Sequence, residues 1–146
     1  MKNTNINLYE IKKGKTEFPK MKCTSSNDAY QYLKQFYSDD IEIYESSFIL
    51  MLNRANVIIA YAKISQGGII GTVIDPKIVG YYAMQSLASG IIIVHNHPSG
   101  NLQPSQADDN ITQKLKNTLL IIETQLLDHL IITKDGYYSY ADEGKI

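Results

Sequence analysis

The run IIIVHNHPSGNLQPSQAD, residues 91–108, is the most informative part of this sequence. Four apolar residues open it, a pattern typical of a buried central strand. His95 and His97 follow two positions apart, so their imidazoles point to the same side of the predicted strand. Ligands of such sheets gather outside the carboxyl ends of the strands. The run therefore predicts a sheet-based fold with a ligand site at this edge.

Periodicity on either side of that run supplies the other elements. The expected elements are a helix from Ser25 or Ser26 to Tyr37, strands over 41–52, 57–64 and 69–74, a helix from Asp75-Pro76 to about Ser89, a strand over 91–94, a helix from Ser105 to about Ile122, and strands over 126–133 and 137–140. Gly90 is expected to end the second helix in a left-handed conformation. Helices interleaved with strands and a hairpin predict an α/β (α+β) three-layer domain with a mixed β-sheet flanked by helices.

Composition points to one globular domain. The chain has 146 residues, of which 44% are hydrophobic and 20% charged, as in ordinary soluble proteins. No apolar run approaches the roughly 18 residues of a membrane span, and the first residues lack an apolar signal core, so a cytoplasmic location is expected. A single cysteine, Cys23, excludes a disulfide framework and a cysteine-rich zinc site.

The charge is distributed unevenly along the chain. Residues 1–22 carry six lysines against two glutamates, a net charge of +4, whereas the remainder carries −5. Residues 1–24 therefore form a basic, weakly patterned arm with one short strand expected over 6–11, and residues 25–146 form the domain. A basic arm can contact phosphates; the alternative is that it lies along the acidic body or is disordered.

Two histidines beside a carboxylate fit a catalytic zinc site, which uses three nitrogen or oxygen ligands and one open position. Asp108 is the candidate third ligand. It also completes the pattern Ser105-x-x-Asp108, a capping box in which its carboxylate would serve the helix start. The neighbouring Asp109 could equally be the acid that matters. The residues alone leave these alternatives open.

The spacing of this motif resembles that of a known family. His95-x-His97, seven residues, Ser105, two residues and Asp108 match the metal motif of JAB/JAMM (MPN) domains at every spacing. The longer string HNHPSG resembles the RadC-like branch, as do LDHLII at 127–132 and GYYS at 136–139. The resemblance covers roughly residues 25–142 and implies the JAB/MPN (cytidine-deaminase-like) three-layer fold.

The resemblance also implies site residues. His95, His97 and Asp108 would bind Zn²⁺, with water as fourth ligand, and Ser105 would hydrogen-bond the oxyanion of a tetrahedral intermediate. Zinc lowers the pKa of its bound water to about 7 and polarises a carbonyl. A family glutamate that acts as general acid and base on that water corresponds to Glu45.

The sequence offers a second candidate for that glutamate. Glu42 is a competitor on the same predicted strand. RadC-like chains tend to carry an aromatic residue two positions after the glutamate, where this sequence has Ser47, with Phe48 one later. A bulge or a one-residue slip would turn Glu45 to the opposite face, where it would be an ordinary solvent-facing residue.

His129 has two interpretations. A lone histidine between apolar residues is usually a satisfied core residue. Alternatively, His129 or Asp128 orients a ligand imidazole from behind the metal site.

By resemblance, the chain is expected to be a zinc metallopeptidase or isopeptidase acting on a peptide or protein substrate. One alternative is a DNA-associated protein, as RadC-like proteins are habitually labelled, with the basic arm as the contact. Another is a non-catalytic, zinc-bound interaction domain. No membrane partner is expected, and exposed sheet edges and tyrosines favour a homodimer.

Overall fold

The computed structural model describes residues 6–8, 10, 14–68 and 72–146. Within these ranges, six strands form one sheet and three α-helices pack against it. The elements, in chain order, are β1 (Met21–Lys22), α1 (Ser26–Leu33), β2 (Ser46–Leu52), β3 (Val57–Gln66), α2 (Pro76–Ser86), β4 (Gly90–Asn96), α3 (Gln106–Ile121), β5 (Gln125–Ile132) and β6 (Tyr137–Ser139). None of the helices in these ranges combines the length and the apolar run that crossing a bilayer requires.

The sheet is mixed, as predicted. Its order is β1-β3-β2-β4-β5-β6, and β4 pairs parallel with β5, whereas the other pairs are antiparallel. All seven residues of β4 are buried, because β4 has a strand on either side and helices on both faces. The predicted buried central strand is therefore confirmed.

Alternation along the central strands divides the core into two layers. Ile92 and Val94 belong to the cluster that α1 covers, whereas Ile91 and Ile93 pack with Leu115 and other residues beneath α2 and α3. The molecule is thus helix, sheet and helices in three layers, as predicted. Continuing the alternation, His95 faces the α3 side and Asn96 the α1 side.

The predicted strand over 41–52 is wrong in its first half. Asp39–Glu42 form a 3₁₀ turn, and β2 begins only at Ser46. The reason lies fifty residues away: the Asn96 amide donates to the carbonyl oxygens of Ile41 and Tyr44 and accepts from the Ser46 amide. A side chain thus satisfies backbone groups that a strand would have used in a ladder.

The left-handed residue that ends α2 is Leu87, with φ of 53°, and not Gly90 as predicted. Gly90 instead begins β4, where a Cβ would lie 2.5 Å from the Leu127 side chain. At that point the β4–β5 register shifts between Ile91 and Ile92, and Leu127 has no partner on β4. Glycine at position 90 therefore makes room for the bulged leucine.

The first helix is shorter than predicted, and two predicted strands lie partly outside the described residues. The first helix ends at Leu33 and continues only as a 3₁₀ turn over Lys34–Phe36. The expected strands over 6–11 and 69–74 fall partly outside the described residues; residues 6–8, 10 and 72–74 form no strand.

Candidate metal centre

The loop after β4 holds the second histidine in a fixed rotation. The His97 amide donates to the carbonyl of Ile132 at 3.0 Å, which extends the β4–β5 ladder by one bond. Gly100, with φ of 84°, then turns the chain. This turn brings the Asn101 carbonyl oxygen to 2.6 Å from His97 Nδ1. Because a carbonyl only accepts, Nδ1 carries the hydrogen and Nε2 presents a lone pair.

The start of α3 places the carboxylate opposite the imidazoles. Ser105 caps the helix by accepting from the Asp108 amide, and Asp108 Oδ2 accepts from the Ser105 amide at 2.8 Å. The same carboxylate lies 3.2 Å through Oδ1 from His95 Nε2 and 3.3 Å through Oδ2 from His97 Nε2. Capping and contact with the imidazoles are therefore compatible, and Asp108 does both.

These donor atoms have the spacing of a tetrahedral zinc site. His95 Nε2 and His97 Nε2 are 3.0 Å apart, and with Glu45 and Asp108 all the candidate ligand atoms lie within 4.8 Å of one another. Zinc–ligand bonds of about 2.0–2.1 Å place tetrahedral ligands roughly 3.3 Å apart. Lone pairs this close repel unless a proton or a metal cation lies between them. The donor set therefore fits a divalent metal such as zinc.

The contacts within the cluster shift the pKa values of Asp108 and His97. Burial would raise the pKa of Asp108, but its contacts with the imidazoles of His95 and His97 outweigh burial and lower that pKa. The neighbouring Asp108 carboxylate raises the pKa of His97, against the effect of burial. The carboxylate is thus ionised throughout the neutral range, as a metal ligand must be.

Glu45 lies beside the cluster, on the loop immediately before β2. Its Oε1 is 3.7 Å from His95 Nε2, and its side chain is 18% exposed. Burial raises the pKa of Glu45, which the neighbouring imidazoles partly offset. A half-buried carboxylate with a raised pKa, lying beside these imidazoles, is placed to take up and release a proton.

The competing acids point elsewhere. Glu42 forms an exposed ion pair with Lys134 at 3.2 Å, and Asp109 accepts from the Tyr140 hydroxyl at 2.7 Å. The bulges of the β2–β3 pair fall where β3 residues lack a partner, so β2 keeps an unbroken register with β4. The slip that would have turned Glu45 away does not occur.

Ser105 presents a hydroxyl at the edge of the cluster. Its Oγ accepts from the Asp108 amide at 3.0 Å. That bond uses a lone pair and leaves the hydroxyl hydrogen available as a donor.

His129 is both a core residue and a neighbour of the site. It is fully buried, and its Nε2 lies 2.8 Å from His95 Nδ1. Burial, reinforced by the nearby His95, lowers the pKa of His129 far below its usual value, so the ring is neutral. Asp128 contacts no imidazole: its carboxylate accepts from the Ser139 hydroxyl and from the amides of His129 and Ala141.

Two residues near the site escaped the sequence analysis. Asn96 fastens the segment that carries Glu45, and Thr112 lies 2.6 Å through Oγ1 from His129 Nδ1. Asn96 stands between the two histidines, and a buried strand ending in a polar amide is a signal that could have been read. Thr112 lies on the buried side of α3. A threonine can be buried there for its methyl group alone, so the hydrophobic pattern does not indicate that its hydroxyl makes a contact.

Comparison with known proteins shows which family this chain resembles. The family model of the RadC-like JAB domain matches residues 23–145. A "UPF0758 protein" of Flavobacterium johnsoniae is 44% identical over 123 residues, which cover 84% of this chain and 53% of that protein. Another "UPF0758 protein", from Porphyromonas gingivalis, is 39% identical over 122 residues, covering 83% of this chain and 53% of its own length.

The chain spans about half the length of these curated relatives. The division into an arm over 1–24 and a domain over 25–146 stays a prediction.

Proposed function

This chain belongs to the RadC-like JAB domain family, and from that premise we propose that it is a zinc-dependent hydrolase, a metallopeptidase or isopeptidase that cleaves an amide bond. The observation that carries the proposal is the cluster of Glu45, His95, His97 and Asp108 within 4.8 Å. Two imidazoles and a carboxylate are the ligand set of catalytic zinc, and a second carboxylate beside them suits acid–base catalysis.

His95, His97 and Asp108 would hold the metal. Zinc supplies Lewis acidity there, lowering the pKa of water to about 7 and polarising a carbonyl. The capping box orients the carboxylate of Asp108 before any metal arrives, which reduces the ordering that binding requires.

Glu45 would move the proton. Its carboxylate is close to the imidazoles yet 3.7 Å from His95 Nε2, farther than the Asp108 oxygens. It would accept a proton from the attacking water and deliver it to the leaving amine. Its raised pKa makes it a stronger base and so favours the first step.

Ser105 would stabilise negative charge on the former carbonyl oxygen. Its hydroxyl hydrogen is free of the capping bond and stands at the N-terminus of α3, where the helix dipole also favours an anion. The proposed substrate is a peptide or protein.

The test is hydrolysis of peptide and lysine-isopeptide libraries by zinc-loaded protein, with Glu45→Gln and Glu42→Gln as a matched pair. We expect cleavage by the wild type and by Glu42→Gln, loss of cleavage on chelation, and a rate lower by about 10²–10⁴-fold in Glu45→Gln with zinc retained. A zinc-loaded wild type that cleaves nothing, or a fully active Glu45→Gln, would contradict the proposal.

DNA association is the alternative function. It would depend on the basic arm, so replacing Lys12, Lys13 and Lys15 together should weaken DNA binding and reduce its dependence on salt. Binding that is unchanged in the triple variant would remove this alternative.

A further inference from the structure

We infer that His129 and Thr112 are positioning residues that hold His95 in the tautomer whose Nε2 is free to bind a metal. The inference rests on the proposed metal site and concerns residues outside its ligand set. Both side chains would then orient His95 in addition to packing in the core.

The contacts form a continuous path through three elements. His95 Nδ1 on β4 lies 2.8 Å from His129 Nε2 on β5. His129 Nδ1 lies 2.6 Å from Thr112 Oγ1 on α3, and Thr112 Oγ1 donates to the Asp108 carbonyl oxygen at 2.7 Å. The path therefore begins at one candidate ligand, His95, and ends on the backbone of another, Asp108.

Counting hydrogens along the path gives its direction. A carbonyl only accepts, so the single hydroxyl hydrogen of Thr112 lies on the bond to Asp108. Thr112 Oγ1 must then accept from His129, whose hydrogen is on Nδ1. The remaining nitrogen of neutral His129, Nε2, can only accept, so the hydrogen of His95 lies on Nδ1. His95 Nε2 is left with its lone pair facing the cluster.

The opposite direction is less favourable. If His129 carried its hydrogen on Nε2, Thr112 would have to donate to His129. The oxygen atoms of Thr112 and Asp108 would then face each other at 2.7 Å with no hydrogen between them, at the cost of an unmade buried hydrogen bond.

Packing also fixes the rotation of the His129 ring. The ring is fully buried and stacks on Tyr140 with centroids 5.0 Å apart and planes inclined by 10°. Tyr140 is itself held by its hydroxyl bond to Asp109. A neutral, immobile acceptor behind His95 is the arrangement by which outer residues orient metal-binding histidines.

Zinc affinity, measured by competition with a chromophoric chelator, tests the positioning role in matched variants. Thr112→Val and Thr124→Val each remove the hydroxyl of a threonine that is 3% exposed, but Thr124 bonds to the Ala88 carbonyl away from the site. We expect Thr112→Val to weaken zinc binding by about 10-fold, within the 10–100-fold typical of outer partners. Thr124→Val should bind as the wild type does.

His129 offers a rescue. His129→Leu removes the acceptor and should weaken zinc binding by about 10–100-fold, whereas His129→Gln, whose amide oxygen can accept from His95, should restore most of it. If Thr112→Val binds zinc normally, or if Thr124→Val loses as much affinity, the positioning role is refuted. That pair of variants decides the matter even if His129→Leu fails to fold.

Nitrogen-15 NMR of the histidines in the wild-type chain reads the tautomers without metal or substrate. The inference requires the Nδ1–H form of His129 and of His95 at alkaline pH, and an Nε2–H His129 would overturn it. A chain that shows these tautomers and the variant pattern but hydrolyses no amide would refute the proposed function and leave this inference standing.

Discussion

The starts of α1 and α3 are built alike and differ in what lies opposite them. Ser25 accepts from the Asp28 amide, and Asp28 accepts from the amide and hydroxyl of Thr24. At the start of α3, Ser105 likewise accepts from the Asp108 amide, and Asp108 accepts from the amide of Ser105 itself. In each case the serine accepts from an amide that the helix leaves unpaired, and the aspartate three residues later accepts from an amide just before the helix.

The α3 start faces the two histidines at the end of β4. The end of that strand brings two imidazole nitrogens to within 3.3 Å of the Asp108 carboxylate, whereas hydrogen bonds from Thr24 are what lower the pKa of Asp28. The local pattern is therefore shared by a plain cap and a candidate ligand. What separates them is the strand that tertiary structure places opposite.

The largest expected effect comes from replacing the aspartates at the two helix starts. Asp108→Asn and Asp28→Asn both keep an oxygen that can accept the capping bond. Asp108→Asn should weaken zinc binding by more than about 100-fold, because losing a ligand costs more than losing an outer partner, and Asp28→Asn should leave it unchanged. Isothermal titration of metal-free protein with zinc measures both. Equal losses would mean that Asp108 acts only as a cap.

Replacing the serines at the two helix starts separates an effect on the free energy of unfolding from an effect on the rate of hydrolysis. Ser105→Ala and Ser25→Ala should each lower the free energy of unfolding by about 1 kcal/mol, since each removes a helix cap. Only Ser105→Ala should also slow amide hydrolysis, by about 10²-fold, as expected for a lost oxyanion donor. Urea denaturation and initial rates give the two quantities. Unaltered hydrolysis in Ser105→Ala would leave the serine a cap alone.

The Asn96 amide holds the backbone on either side of Glu45, through the Tyr44 carbonyl and the Ser46 amide. Asn96→Ala should slow hydrolysis by about 10-fold through a displaced Glu45 and lower the free energy of unfolding by about 1–3 kcal/mol, because buried backbone groups lose their partner. Asn53→Ala is the matched control, since the Asn53 amide oxygen accepts from two backbone amides in the β2–β3 turn. A rate that falls equally in both variants would show a general effect of destabilisation.

The smallest effect is the pH dependence of the metal-free chain. The Asp108 carboxylate raises the pKa of His97, so the protonated imidazole stabilises the fold. This stabilisation is complete below pH 6.5, the ordinary pKa of histidine, and is lost as pH rises through the raised pKa. The lowered pKa values of Asp28 and Asp108 affect stability only as pH falls through about 3.8. The melting temperature should therefore fall modestly as pH rises above about 6.5.

Asp108→Asn should flatten that fall, whereas Asp28→Asn should keep it. Scanning calorimetry in the presence of a chelator measures the profile. A flat wild-type profile would show that His97 and Asp108 are not coupled in the metal-free chain.

Local pattern and family resemblance predicted the features that depend on neighbours in sequence. The mixed three-layer fold, the buried strand β4 and the start of α3 at Ser105 are of this kind, because apolar runs and capping residues act over a few positions. The ligand candidates of the motif also lie close together in the structure: His95, His97 and Asp108 are within 3.3 Å of one another.

What the sequence did not predict depends on distant partners. Residues 41–45 look like strand until the Asn96 amide, about fifty positions later, takes their backbone groups. The bulge at Leu127 changes the β4–β5 register upstream of His129, so no periodicity could say which face His129 occupies. Gly90 was predicted to end a helix because the steric reason for a glycine there is the side chain of Leu127, which lies on another strand.

Metal content is the most direct test of the claim that β4 and the start of α3 form a metal centre. Plasma mass spectrometry would be applied to the purified wild type and to His95→Ala, His97→Ala and Asp108→Ala. We predict about one zinc per chain in the wild type and its loss in each variant. A metal-free wild type that also fails to take up added zinc would contradict the account and reduce the motif to a strand end beside a capped helix.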